Sequence, residues 1–178
     1  KLDDVNRKQA RTDIDVLITE LNRPDLFIAN DLTNPDDFIF LAGIASKALY
    51  SARSYVPERR GAIDSTLHLL ATWTAERSTL RQWKRNANWD REVFFLAHAG
   101  AAIGHYQLAT NDPAFETAFR AIGEHLGKRI DRGRYKHLLS RPNEDYFRPA
   151  DNAAALYTLS LYDETYGSTF TEANFNDW

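Results

Sequence analysis

The chain has 178 residues, 43% of them apolar, 12% aromatic and 26% charged, with a net charge of −3 at pH 7. That length holds one domain with a sizeable core or a stack of three hairpins, and the acidic balance argues against a dedicated nucleic-acid binder. Cysteine and methionine are absent, which excludes disulfides, thiol nucleophiles and cysteine metal sites, and no apolar run approaches the roughly 20 residues of a membrane helix. The chain opens on Lys1 rather than Met, the start expected of a processed or excised piece of a longer protein. Its composition fits an exported bacterial domain and, almost as well, a cytoplasmic one; we take the exported location as the favoured expectation.

Every segment reads as helix. The first helix is predicted over 3–22, where Ile14, Leu17, Ile18 and Leu21 form one apolar stripe. Asn34-Pro35, a cap followed by proline at the first helical position, opens a second helix that runs to about Tyr55. Pro57 restarts the chain into a third, to about Thr79, with Ile63, Leu67, Leu70 and Trp73 in register. Residues 80–89 are polar, basic and aromatic. Asp90 is read as the start of a fourth helix ending near Thr110, and Asn111-Asp112-Pro113 as a tight turn. A fifth helix follows to about Ile130, with Phe115, Phe119, Ile122 and Leu126 on one face. Residues 131–149 connect to a sixth helix over 150–165, stopped by Gly167, and a partial outer helix closes the chain at Trp178.

A period runs through these elements. Tyr50, Tyr106 and Tyr162 stand 56 residues apart, and each ends a run rich in Ala, Gly or Ser. Pro57 and Pro113, then Ile63, Phe119 and Phe175, keep the same interval. A repeat of this length built of helices is the mark of stacked helical hairpins. Helices two, four and six carry small residues on several sides (Ala42-Gly43-Ile44-Ala45, Ala97 to Ala102, Ala153-Ala154-Ala155), so they are expected inside. Helices one, three and five, with one apolar stripe and charged faces, are expected outside. The fold class is therefore all-α: a single domain over 1–178 of about three antiparallel helical hairpins, arranged as an α/α solenoid or partial toroid. The units fall at about 34–89, 90–145 and a partial 146–178, preceded by a leading outer helix and loop over 1–33. The three tyrosines should pack in the core against the outer helices.

The small-residue inner helix, the Leu-Ala-Thr-Asn-Asp-Pro-Ala-Phe turn at 108–115 and the amphipathic outer helix resemble the hairpins of the six-hairpin, α/α-toroid superfamily. Arg148 to Tyr157, leading to Tyr162-Asp163-Glu164-Thr165-Tyr166-Gly167, looks like a further hairpin of that kind. The resemblance covers about 34–178. It implies an architecture shared by glycoside hydrolases, polysaccharide lyases, terpenoid enzymes and peptide cyclases. About three hairpins are present, where a closed ring has six or seven.

In such an array the starts of the inner helices gather on one rim, with their N–H groups and positive dipole ends pointing into it. Three acidic segments are aligned there by the period. Asp36 and Asp37 belong to the first, Asp90 and Glu92 to the second, and Glu144, Asp145 and Asp151 to the third. Trp83, Trp89, Tyr146 and Phe147 add aromatic surface. Paired carboxylates beside exposed rings are what glycan-cleaving clefts use, one acid protonating the glycosidic oxygen and the other attacking or activating water. On that reading Asp90, Glu92, Asp145 and Asp151 are the acid/base candidates. Asp36, Trp83, Trp89, Arg91, Glu144, Tyr146, Arg148 and Asn152 would line the ligand site. The plainer reading is that these acids cap helices and favour their dipoles.

Basic stretches around Trp83 and Trp89 and around Tyr135 lie at the ends of outer helices, where cations stabilise the dipole, so nucleic acid is not the expected partner. His98 and His105 are seven residues apart on one helix, roughly 10 Å along its axis, too far to share a metal. No metal or cofactor is expected. Ser46, Ser51 and Ser160 read as small packing residues. The favoured function is a non-catalytic interaction or scaffold domain, the soluble part of a larger or envelope-associated protein, with a protein partner or second copy meeting the C-terminal end. The competing reading is a fragment or subunit of a toroid-type carbohydrate-active enzyme.

Overall fold

The computed structural model describes residues 2–23, 35–76, 88–132, 138–139 and 147–175. Seven α-helices appear among them: α1 (Leu2–Leu21), α2 (Pro35–Ala52), α3 (Arg60–Ala75), α4 (Val93–Thr110), α5 (Glu116–Arg132), α6 (Pro149–Tyr166) and α7 (Phe170–Phe175). Short 3-10 turns at Pro57–Arg59, Trp89–Arg91 and Pro113–Phe115 lead into α3, α4 and α5. No strand occurs among the described residues, so the all-α expectation holds. None of the described helices is long and apolar enough to cross a membrane. The fourth helix starts at Val93, not at Asp90, because Asn88 caps the intervening 3-10 turn by accepting the Asp90 N–H.

Helix α4 is the centre of the molecule. Fourteen of its eighteen residues are buried, and it touches α2, α3, α5 and α6. Its Ala and Gly content explains this: a helix enclosed on most sides must let its neighbours approach closely. Contacts between inner helices climb in step along the chain. Phe40 meets Phe94, Tyr50 meets His105, Thr158 Oγ1 donates to the Ala97 carbonyl, and Tyr166 Oη donates to Gln107 near the far end. Hence α2, α4 and α6 run parallel, side by side, with their N-termini on one edge. Helix α5 runs against α4, since Phe119 lies by Gly104 while Arg129 reaches Asp90 at the start.

The layer formed by α1, α3, α5 and α7 covers one side of this row. Leu67 and Leu70 of α3 and Phe119, Ile122 and Leu126 of α5 are fully buried, each contributing about 1.5–3 kcal/mol by removal from water. Paired charges tie the outer layer together: Arg59 grips Asp15 of α1 through two hydrogen bonds of 2.6 and 2.8 Å. Two of the periodic tyrosines pack as expected. The Tyr106 ring lies 5.2 Å from His68 of α3, and the Tyr162 ring lies 5.6 Å from Phe119 of α5. Tyr50 differs, since its neighbour is His105 of α4, at 5.3 Å. Positive φ closes α4 at Asn111 (57°) and α6 at Gly167 (68°), a conformation that glycine and asparagine tolerate best. The side chain of Phe175 and all of Trp178 lie outside the described residues.

Candidate binding groove

The side of the α2–α4–α6 row that faces away from the outer helices carries a groove of about 320 Å³. Helix α2 supplies Gly43, Ile44 and Lys47, α4 supplies Ala97, His98 and Ala101, and α6 supplies Ala153, Ala154 and Tyr157. Small residues make the hollow, because three parallel helices meet there with little side-chain volume between them. Gly43 is required by close approach, since a Cβ at that position would stand 2.8 Å from His98 Nδ1. Phe40 and Ile44, one turn apart, leave 47% and 52% of their surface exposed along the α2 rim. The Lys47 ammonium sits 4.4 Å above the Tyr157 ring. It has no ion-pair partner among the described residues.

Beneath the groove, a chain of hydrogen bonds joins all three helices. Ser46 Oγ donates to the Gly43 carbonyl at 2.9 Å, which leaves its lone pairs to accept His105 Nδ1–H, also at 2.9 Å. His105 Nε2 is then an acceptor, and the Tyr157 hydroxyl donates to it at 2.8 Å. The tautomer follows from the network. Burial, aided by the nearby Lys47 charge, pushes His105 down to about 4, so the ring is neutral at pH 7. Burial also lowers His98, against the pull of the Asp151 carboxylate, and raises Tyr157.

The acids expected on the rim part company. Asp90 turns toward the outer layer, where Arg129 holds both its oxygens at 2.7 and 2.5 Å. His125 Nε2 stands 3.2 Å from the same carboxylate without hydrogen-bond geometry, and its ring meets Trp89 edge-on at 5.4 Å. Asp90, Trp89 and His125 thus form a clasp between the start of α4 and the body of α5. Glu92 is buried at the residue preceding α4, Arg91 is half-buried beside it, and Asp36 is half-buried in the first turn of α2. Asp151 is buried in the first turn of α6, and its carboxylate acts on His98 of the groove. Its Oδ2 is buried and has no hydrogen-bond partner among the described residues.

Asn152 is fully buried and joins loop to helix. Its Oδ1 accepts the Leu138 N–H at 2.9 Å, while Nδ2 donates to the Leu138 carbonyl at 3.0 Å and the Arg148 carbonyl at 3.1 Å. Arg148 is the residue before α6 and half-buried. Trp83, Glu144, Asp145 and Tyr146 lie outside the described residues.

None of the described residues assigned to catalysis or ligand binding from sequence lines the groove. Lys47 and Tyr157 carried no sequence signal, because they stand on different helices 110 residues apart and no motif joins them. Ser46, expected as a small packing residue, is a hydrogen-bonding member of the floor. Among the described residues, no three His, Asp or Glu side chains gather as a metal would require. Compared with protein-family models, curated proteins and solved structures, the chain matches none.

Proposed function

We propose that the chain is a non-catalytic helical-hairpin repeat domain that binds through the open face of α2, α4 and α6. The hairpin arrangement, an α/α solenoid or part of a toroid, is supported by the interval of 56 residues. It separates the 3-10 turns at Pro57–Arg59 and Pro113–Phe115, the starts of α3 and α5, and the positive-φ residues Asn111 and Gly167. The observation that carries the binding role is the groove itself, lined largely by Gly, Ala and Ile and bordered on α2 by exposed Ile44, with exposed Phe40 one turn away. Apolar surface gathered in one place costs solvation unless a ligand covers it.

An uncharged environment-sensitive dye such as Nile red tests this reading. Its emission should rise with the wild-type protein and fall back by at least fivefold in Ala153→Trp, where the new indole occupies the groove. Ala153 is exposed, so the melting temperature should stay within about 2 °C of wild type. Emission indifferent to Ala153→Trp would contradict a binding role for this face.

One observation favours the enzyme reading as a second possibility: the unpartnered buried oxygen of Asp151, with His98 within its electrostatic reach. Turnover of a neutral or acidic glycan that disappears in Asp151→Asn would establish it in place of the first.

A further inference from the structure

We propose that the groove takes an apolar carboxylate, such as a medium-chain acyl or arylalkyl acid, with its carboxylate on Lys47 and its hydrocarbon along Ala97, Ala101 and Ala154. The inference rests on the reading of this face as a binding surface and names the ligand class for it.

Size comes first. At about 320 Å³ the hollow lies at the lower end of small-molecule pockets, which run from ~300 to ~1,000 Å³. It suits an acyl chain or a single ring system. Chemistry narrows the choice. Six of the lining residues are Gly, Ala or Ile, so a sugar ring placed there would leave most of its hydroxyls unpaired. The polar groups are few, and two are already oriented. The Tyr157 hydroxyl gives its proton to His105, and His98 is held toward its neutral form by burial. Among the described lining residues the unpaired charge is the Lys47 ammonium, placed at the groove by its seat over the Tyr157 ring. One ammonium, with no arginine fork beside it among the described residues, complements a single negative charge better than a phosphate monoester. An anion at this position replaces water around a cation whose far side already rests on an aromatic ring, which strengthens the pair beyond an ordinary surface contact.

Octanoate and octylammonium share a chain length and differ in the sign of the head group. Competition of each against Nile red, at pH 7.5 and moderate salt, separates charge from hydrophobicity. Octanoate is expected to displace the dye at a concentration at least tenfold lower than octylammonium. This preference runs against the protein's net charge of −3, which on its own draws the cation. Lys47 is exposed, so Lys47→Gln and Lys47→Glu should fold as wild type does. The first should bring the ratio near one, and the second should invert it. Equal displacement by the two head groups in the wild type, or a preference that survives Lys47→Glu, overturns the carboxylate assignment while the dye signal keeps the binding surface. A dye signal that ignores Ala153→Trp instead removes the binding surface and the carboxylate with it.

Discussion

Replacing Phe119 by Ala lowers the unfolding free energy by about 3–5 kcal/mol, read from the midpoint of urea or guanidinium denaturation. Phe119 is wholly buried on α5. Its ring lies 5.6 Å from Tyr162 and 5.9 Å from Tyr166 of α6, and it fills the space left by Gly104 of α4. Truncation therefore opens a cavity at the point where three helices converge. The neighbours have little freedom to close it, because Tyr162 packs against Gly123 and Phe170 while the Tyr166 hydroxyl is held by Gln107. Phe119→Leu should cost less, about 1–2 kcal/mol, since most of the volume returns. A loss below about 1 kcal/mol for the alanine variant would mean that α5 does not pack into the notch between α4 and α6.

The second large effect is acid lability. His105 titrates near 4 in the folded chain and near its ordinary 6.5 once unfolded. Between these two values the unfolded chain binds more protons, so stability falls as pH is lowered from about 6.5 toward 4 and levels off below. A shift of this size corresponds to about 3 kcal/mol, or roughly 10 °C in melting temperature for a chain of this length. Burial lowers His98 and His125 as well, and both push the same way. Protonation of His105 also turns Nε2 from acceptor to donor, which forces the Tyr157 hydroxyl to release its proton to another partner. Melting temperatures from pH 7.5 to 4.5, with His105 followed by NMR, check the link. An imidazole that titrates above pH 6 in the folded protein contradicts the buried network.

The parts of the fold that announce themselves locally were legible in the chain. Helices α2, α4 and α6 display Ala and Gly on several sides, and Asn111-Asp112-Pro113 carries both the cap and the proline of its turn. The 56-residue interval recurs between the starts of α3 and α5 and between the positive-φ residues Asn111 and Gly167. Side-chain partners were not legible, because they depend on distant sequence. Asp90 stands in the right place for a rim carboxylate, yet Arg129, 39 residues later, turns it toward the outer layer. Asn152 reads as a polar rim residue and is instead enclosed by the backbone at Leu138. The groove has no sequence signature for a related reason: residues small enough to admit a neighbouring helix look the same when that side is left open. Lys47 gains its position from a tyrosine 110 residues away, a pairing no spacing rule contains.

Both the groove and the floor network need α2, α4 and α6 to lie parallel in one row. The chain has no native cysteine, so paired spin labels can be placed at will. Asp37, Ala150 and Glu164 are exposed at the start of α2, the start of α6 and the end of α6. Two interhelical spacings separate α2 from α6, so a pair at 37 and 150 should give a distance of about 20 Å. A pair at 37 and 164, displaced by most of a helix length, should give roughly 30 Å. A 37–164 distance shorter than the 37–150 distance would mean that α6 runs the other way, and the shared face would not exist.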